Sequence, residues 1–180
     1  MKNILVLISI LLLSQLSGCI VFHSVSYEVN VNDDGKGTAL VTIEDLNSDA
    51  KTKETLDEDV NSILQYGLKS QDFIDNNKSE GKKITSRNLV VENGKLNAIV
   101  SYDFDSVSTV EGIQFDDPYY YLTVAPDDSI ISTNGQITRT ADYQRIIWDK
   151  SIKTLKFKMF SDDTNKDGLK SLAPYYLKEK

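Results

Sequence analysis

Apolar residues at every second position are the feature that most restricts what this chain can fold into. Such a period of two predicts β-strands with one face buried and the other in water. A turn-forming stretch, Asp33-Asp34-Gly35-Lys36-Gly37, separates the first two alternating runs, so these predict a β-hairpin. The apolar positions of the two runs are Val25, Tyr27, Val29 and Val31, then Ala39, Val41 and Ile43.

A second hairpin is predicted around Asn93-Gly94, the dipeptide that type I′ turns prefer. Its strands are expected at residues 84–92 and 96–104, with Tyr102 and Phe104 on one face of the second strand. Turn residues at 126–128 and 134–135 divide the rest of the chain. Further strands are expected at 119–125, 129–133, 136–140, 144–149 and 153–160.

The period changes to that of a helix between these hairpins. Leu56, Val60, Leu64 and Leu68 fall on one face, which predicts one amphipathic helix at about residues 52–74. The expected fold class is α+β, an antiparallel sheet of about seven to nine strands packed on one main helix. Three prolines and no low-complexity tract predict a single domain over residues 19–180, with a tail at about 161–180.

The first 18 residues have a different character. An apolar run at residues 4–13, interrupted only by Ser9, is too short to span a bilayer. It is typical of the hydrophobic part of a signal peptide. The small residues Ser17 and Gly18 then precede Cys19, the single cysteine of the chain.

The segment Leu16-Ser17-Gly18-Cys19 resembles the lipobox of bacterial lipoproteins. The resemblance implies cleavage before Cys19 and lipid attachment to its thiol and new amine, so that residues 1–18 are the signal peptide. Two or three acyl chains hold a protein at a membrane without a transmembrane helix. The alternative is an ordinary secretory signal followed by a free cysteine. Ile20 stands where the enterobacterial inner-membrane signal has Asp, which favours the outer membrane if the organism has one.

Composition limits the partners and the chemistry. A formal charge of −7 argues against nucleic acid, whose phosphates need Lys and Arg. One Cys and one His exclude cysteine-cluster and multi-histidine metal sites. The sequence has no phosphate-binding glycine loop, dinucleotide fingerprint or nucleophile elbow, so a non-enzymatic role is expected.

Several short signals resemble the LppM-type bacterial lipoprotein domain. They are Asn93-Gly94 before a strand, Pro126, Ser132-Thr133-Asn134-Gly135, Ile147-Trp148 and the closing strand to Ser161-Asp162. The resemblance covers about residues 89–162 and implies an envelope lipoprotein with a small α+β domain and a role in envelope lipid or surface biology. This chain lacks the C-terminal hydrophobic anchor of the actinobacterial members.

Two surface signals suggest binding. Asp163, Asn165 and Asp167 have the spacing of a calcium loop, but its twelfth position is Pro174 instead of Glu, so a solvated turn is the alternative. Tyr119, Tyr121 and Tyr175 belong to aromatic runs suited to an interface, since tyrosine can bury its ring and keep its hydroxyl wet. The alternative is an ordinary strand with Tyr119 and Tyr121 outside.

These observations predict a membrane-anchored envelope lipoprotein that binds another envelope component, protein or lipid, without catalysis. A second hypothesis is a carrier that holds a lipid or other apolar ligand between the sheet and the helix. A third is a carboxylate-based hydrolase using Asp103 and Asp105, which are two apart on one strand and share a face.

The lipobox makes Cys19 a testable residue. We expect Cys19→Ala to lose its partition into the membrane fraction, because the only thiol that could carry the acyl chains is removed. Cell fractionation with immunoblotting measures this. A variant that still partitions fully with membranes would contradict the lipoprotein prediction.

Overall fold

The computed structural model describes residues 20–159 and 167–179. Within these ranges the chain forms thirteen strands, three α-helices, a π-helical turn (Ser62–Gly67) and a 3₁₀ turn (Val107–Thr109). The helices are α1 (Lys53–Asn61), α2 (Gln71–Ser79) and α3 (Ala173–Glu179). The strands are β1 (Ile20–Val21), β2 (Ser24–Val31), β3 (Gly37–Glu44), β4 (Asn47–Ser48), β5 (Lys82–Glu92), β6 (Lys95–Phe104), β7 (Gln114–Asp116), β8 (Tyr119–Val124), β9 (Ile130–Thr133), β10 (Gln136–Arg139), β11 (Gln144–Asp149), β12 (Thr154–Met159) and β13 (Lys170–Ser171).

The largest sheet has six antiparallel strands in the order β5-β6-β3-β2-β12-β9. It contains both predicted hairpins, and the register pairs Val41 with both Tyr27 and Val100. The β5–β6 turn is formed by Asn93 and Gly94, whose φ angles of 52° and 77° are those of the predicted type I′ turn. One face of this sheet is mostly apolar, with Lys82 and Arg87 of β5 as charged exceptions, while the other carries the Lys156–Glu28 ion pair.

A four-stranded antiparallel sheet, β10-β11-β8-β7, covers part of that apolar face. The side chains of both sheets form one buried cluster that includes Trp148, Leu122 and Phe157. The Trp148 and Phe157 ring centroids lie 5.9 Å apart across the two layers. This part of the molecule is a β-sandwich.

Asn134 joins the two sheets of the sandwich. It lies in the turn between β9, in the large sheet, and β10, in the small one. Its Oδ1 accepts from the Trp148 indole N–H at 2.9 Å and from the Lys156 backbone N–H at 2.8 Å. Its Nδ2 donates to the Thr154 carbonyl at 2.8 Å. One side chain thus satisfies groups on β11 and β12 together.

The helical segment (residues 53–79) covers the other part of the apolar face. It begins at Thr52, whose hydroxyl accepts from the Thr55 backbone N–H, and is interrupted at Ser70, whose hydroxyl caps α2. With α3 it encloses a second buried cluster that contains Leu64, Leu89 and Leu96. A third sheet of two-residue strands, β1-β4-β13, borders this cluster. Tyr176 of α3 donates its hydroxyl to the Leu89 carbonyl at 2.8 Å.

The predicted fold class is wrong. In place of one sheet on one main helix, the described residues form thirteen strands in three antiparallel sheets with three short helices. The strand positions were predicted well because alternation reports a half-buried strand. Alternation does not report which layer covers the buried face, so the prediction places the strands found as β8, β10 and β11 in one sheet with the rest, and it does not include β7.

The predicted helix at 52–74 is wrong in its continuity. Residues 53–69 are helical, but a π-helical turn occupies Ser62–Gly67 within them, and the helix breaks at Ser70. Gly67 and Ser70 are weak helix formers, and Ser70 prefers the cap position that it takes. The described part of the predicted tail contains β13 and α3.

We expect Asn134→Ala to lower the free energy of unfolding by about 2–4 kcal/mol, because the fully buried Trp148 indole N–H and a β12 N–H lose their acceptor. Urea denaturation followed by the fluorescence of Trp148, the only tryptophan, measures this. The control is Asn61→Ala at an exposed position of α1, expected within about 0.5 kcal/mol of wild type. Equal losses in both variants would contradict a joining role for Asn134.

Candidate functional site

A cavity of about 130 Å³ lies between the large sheet and the helical segment. We refer to it as the inter-layer cavity. Its sheet wall comes from β3, β5 and β6, and its other wall comes from residues 62–80. It lies beside the place where the two buried clusters meet, since Ile43 packs against both. The cavity opens to solvent on one side.

The walls of the inter-layer cavity are mostly apolar. The sheet side chains are Val41, Ile43, Ile84, Leu89, Ala98 and Val100. Ile63, Leu68, Tyr66 and Phe73 line the helical side. The Tyr66 and Phe73 rings meet edge to face, with centroids 5.8 Å apart. Small and β-branched residues on the sheet are too short to fill the gap to the helices, which leaves the space open.

A β-bulge shapes one side of the cavity. The β5–β6 register shifts between Ile84 and Ser86, so the apolar face of β5 changes from even-numbered to odd-numbered residues. Arg87 is brought onto the cavity face by this shift. Its guanidinium donates to the Gly67 and Ser70 carbonyls, at 3.2 and 2.8 Å, and lies 5.6 Å from the Phe73 ring centroid. Arg87 therefore fastens the interrupted helix to the sheet.

The far end of the cavity is polar, and we define this polar end by Glu80, Lys82 and Tyr102. Only 3% of Lys82 and 3% of Tyr102 are exposed. The Lys82 ammonium lies 3.6 Å from Glu80 Oε2 and 6.0 Å from the Tyr102 ring centroid. Among the described residues, the buried Glu80 Oε2 and the buried Tyr102 hydroxyl have no hydrogen-bond partner. Burying the Tyr102 hydroxyl without a partner costs about 1–3 kcal/mol.

The carboxyl group of Glu111 lies near the polar end and interacts with its residues. Burial raises the pKa of the Glu111 carboxyl, against the opposing effects of a hydrogen bond from Tyr27 and the charge of Lys82. Burial likewise raises the pKa of the Tyr102 hydroxyl, with the nearby Glu111 adding to the effect. Tyr102 therefore keeps its proton at neutral pH and can donate a hydrogen bond into the cavity.

The structure separates the tyrosines predicted to form a surface. Tyr119 (47% exposed) and Tyr121 lie on the outer face of β8, and the Arg145 guanidinium covers the Tyr121 ring at 4.6 Å from its centroid. Tyr175 lies on α3 and packs against the second buried cluster. The alternative given for β8 is confirmed, because Tyr120, Leu122 and Val124 point into the core.

The other predicted site residues lie away from the cavity or outside the description. Asp103 faces outward on β6, and Asp105 follows that strand with Lys36 at 4.0 Å. Leu16, Ser17, Gly18 and Cys19 lie outside the described residues, as do Asp163 and Asn165 of the calcium candidate. Asp167 is described, and across residues 20–159 and 167–179 there is no group of three or more His, Cys, Asp or Glu side chains arranged for a metal.

Comparison with known protein families, with curated proteins and with solved structures finds no match to this chain. The resemblances to bacterial lipoproteins and to the LppM-type domain therefore stay predictions. No helix in the described ranges is long and apolar enough to cross a membrane.

Sequence reasoning missed Lys82 and Glu80 as site residues. It did place Tyr102 on the apolar face of its strand, which was a usable signal, since a tyrosine hydroxyl in a core needs a partner. Lys82 could not be assigned in the same way. Alternation puts it on the core face only when its pairing with Phe104 is known.

The buried carboxyl gives a pH-dependent prediction. The pKa of Glu111 is raised above its ordinary value of 4.5, so the native state holds the proton more tightly than the unfolded state. Stability is then lost as the pH rises from about 4 through the native pKa, and is constant above it. We expect Glu111→Gln to be more stable than wild type at pH 7, with the difference vanishing near pH 4.

Urea denaturation of both proteins at several pH values, followed by Trp148 fluorescence, measures this difference. Glu92→Gln, at the exposed end of β5, is the control for replacing a surface carboxylate. A Glu111→Gln variant that is less stable than wild type at pH 7 would mean that ionised Glu111 stabilises the fold through Lys82.

Proposed function

We propose that this chain is a membrane-tethered binding protein that holds an apolar ligand in the inter-layer cavity. The observation that carries the proposal is the space between sheet and helical segment, with apolar walls and a polar end. A carrier requires such a space, and a solidly packed layer would have excluded it. Mostly apolar cavities with a few convergent polar groups are typical ligand sites.

The size of the cavity sets the size of what it can enclose. A dry apolar cavity of about 150 Å³ holds one benzene molecule, so about 130 Å³ holds a group of about six carbons. At about 0.8 kcal/mol per buried methylene, such a group gains about 5 kcal/mol, or a Kd on the order of 0.1–1 mM. A larger lipid would extend through the opening and gain affinity from the part outside.

The short distance in sequence between Cys19 and the folded domain supports the membrane as the source of the ligand. Cys19, the proposed lipid attachment site, is followed directly by Ile20, the first residue of β1. Ile20 packs against the second buried cluster, to which the cavity residues Ile63 and Leu68 also belong. A lipid on Cys19 would therefore hold the domain close to the bilayer, on the side where the second buried cluster borders the cavity.

Filling the cavity tests the proposal. We expect Val100→Phe to weaken benzene binding at least about tenfold, because the larger side chain occupies the space. Ile99→Phe is the matched control, since Ile99 is the next residue of β6 and faces away from the cavity. The full-length chain in phospholipid nanodiscs is titrated while the methyl signals of Val41, Ile43 and Ile84 are followed by NMR.

In the wild type and in Ile99→Phe, benzene should shift these three methyl signals. Shifts confined to the sandwich core, or equal in Val100→Phe and wild type, would refute binding in the inter-layer cavity. If the methyl shifts support binding, mass spectrometry of small molecules that co-purify with wild type and not with Val100→Phe would identify the natural ligand.

A further inference from the structure

The polar end of the inter-layer cavity carries two oxygens that are buried in the protein without a hydrogen-bond partner among the described residues. One is Glu80 Oε2 and the other is the Tyr102 hydroxyl, and both residues line the cavity. Tyr102 is 97% buried, since 3% of it is exposed, so bulk water does not satisfy its hydroxyl. A ligand that supplies the missing hydrogen bonds would therefore be stabilised by both oxygens.

The two oxygens differ in the hydrogen bonds that they can form. A carboxylate oxygen can only accept a hydrogen bond, whereas a phenol hydroxyl can both donate and accept. A group that satisfies both must donate to Glu80, and it can accept from Tyr102 or donate to it. An alcohol hydroxyl does this with one oxygen. An ether oxygen of the same size can accept from Tyr102 but has no hydrogen for Glu80.

The charges near the polar end select against ionised groups. A ligand carboxylate could accept from Tyr102, but it would be repelled by the Glu80 carboxylate and would have to compete with it for the Lys82 ammonium, 3.6 Å from Glu80 Oε2. A ligand ammonium would meet the buried Lys82 ammonium, 3.6 Å from Glu80 Oε2. Arg87 does not change this balance, because its partner Val100 is four residues along β6 from Phe104, the partner of Lys82, which is about 13 Å at 3.3 Å per residue. Its guanidinium is held by the Gly67 and Ser70 carbonyls.

We propose that the cavity selects apolar ligands that carry a neutral hydroxyl group, which is received between Tyr102 and Glu80 at the polar end. This inference rests on the proposed function and specifies the ligand class of the same cavity. Sites built to hydrogen-bond a hydroxyl reject analogues that lack it, because the protein's own buried groups are then left unpaired.

Three probes of nearly equal size separate the alternatives: 1-hexanol, pentyl methyl ether and hexanoate. Each is titrated at pH 7 into the full-length chain in phospholipid nanodiscs, with the Val41, Ile43 and Ile84 methyl signals as the readout. We expect 1-hexanol to bind about tenfold more tightly than the ether or hexanoate, the effect of about one satisfied hydrogen bond.

Tyrosine variants test the position of the hydroxyl. Tyr102→Phe should reduce the preference for 1-hexanol over the ether from about tenfold to about threefold or less. Tyr121→Phe is the control, because Tyr121 lies on the outer face of β8 and does not line the cavity. Its preference should equal that of the wild type.

The outcomes separate this inference from the function on which it rests. If 1-hexanol and the ether bind equally, or if hexanoate binds at least as tightly, the cavity binds apolar ligands without the proposed selectivity. An unchanged preference in Tyr102→Phe would likewise overturn the assignment to the polar end. If none of the three probes shifts the cavity methyl signals, both the proposed function and this inference fail.

Discussion

The structure depends on one constraint, the width of the apolar face of the six-stranded sheet. That face runs from Leu89 on β5 through Val41 on β3 to Phe157 on β12. No single element among residues 20–159 and 167–179 covers it: the four-stranded sheet covers the β2 and β12 side, and the helical segment covers the β5 and β6 side. Two covers of different kinds must meet over the same sheet, and the inter-layer cavity is found beside that junction.

The irregular features of the fold gather at the same place. The bulge in β5 and the π-helical turn face each other across the cavity, and each gives up regular backbone hydrogen bonds. Arg87 compensates by donating to two carbonyls where the helix is interrupted. By contrast, the sandwich side is closed by aromatic stacking, with the Tyr27 and Phe157 centroids 4.6 Å apart, and by the hydrogen bonds of Asn134. The molecule thus combines a tightly packed half with a half that retains space.

Local patterns in the sequence were sufficient to predict most strands but not their assembly. Asn93-Gly94 determined its own turn, and the alternation in β8 correctly assigned Tyr120 to the core. The turn at Asn134-Gly135 had the same appearance but connects strands of two different sheets. That difference arises from long-range contacts of Asn134 with Trp148 and β12, which no local pattern contains.

The candidate site was harder to predict because its residues are unusual for the positions they hold. The carrier hypothesis named the space between sheet and helix, yet a charged Lys82 on a core-facing strand position argues against burial by every sequence rule. Its burial becomes intelligible beside Glu80 and Tyr102, which come from the end of α2 and from β6. The Lys82 ammonium at 3.6 Å offsets the charge of Glu80 Oε2 without reaching hydrogen-bond distance, and the Tyr102 hydroxyl has no hydrogen-bond partner among the described residues. Both oxygens line an apolar cavity, and a hydroxyl-bearing ligand of the kind proposed would supply the hydrogen bonds that they lack.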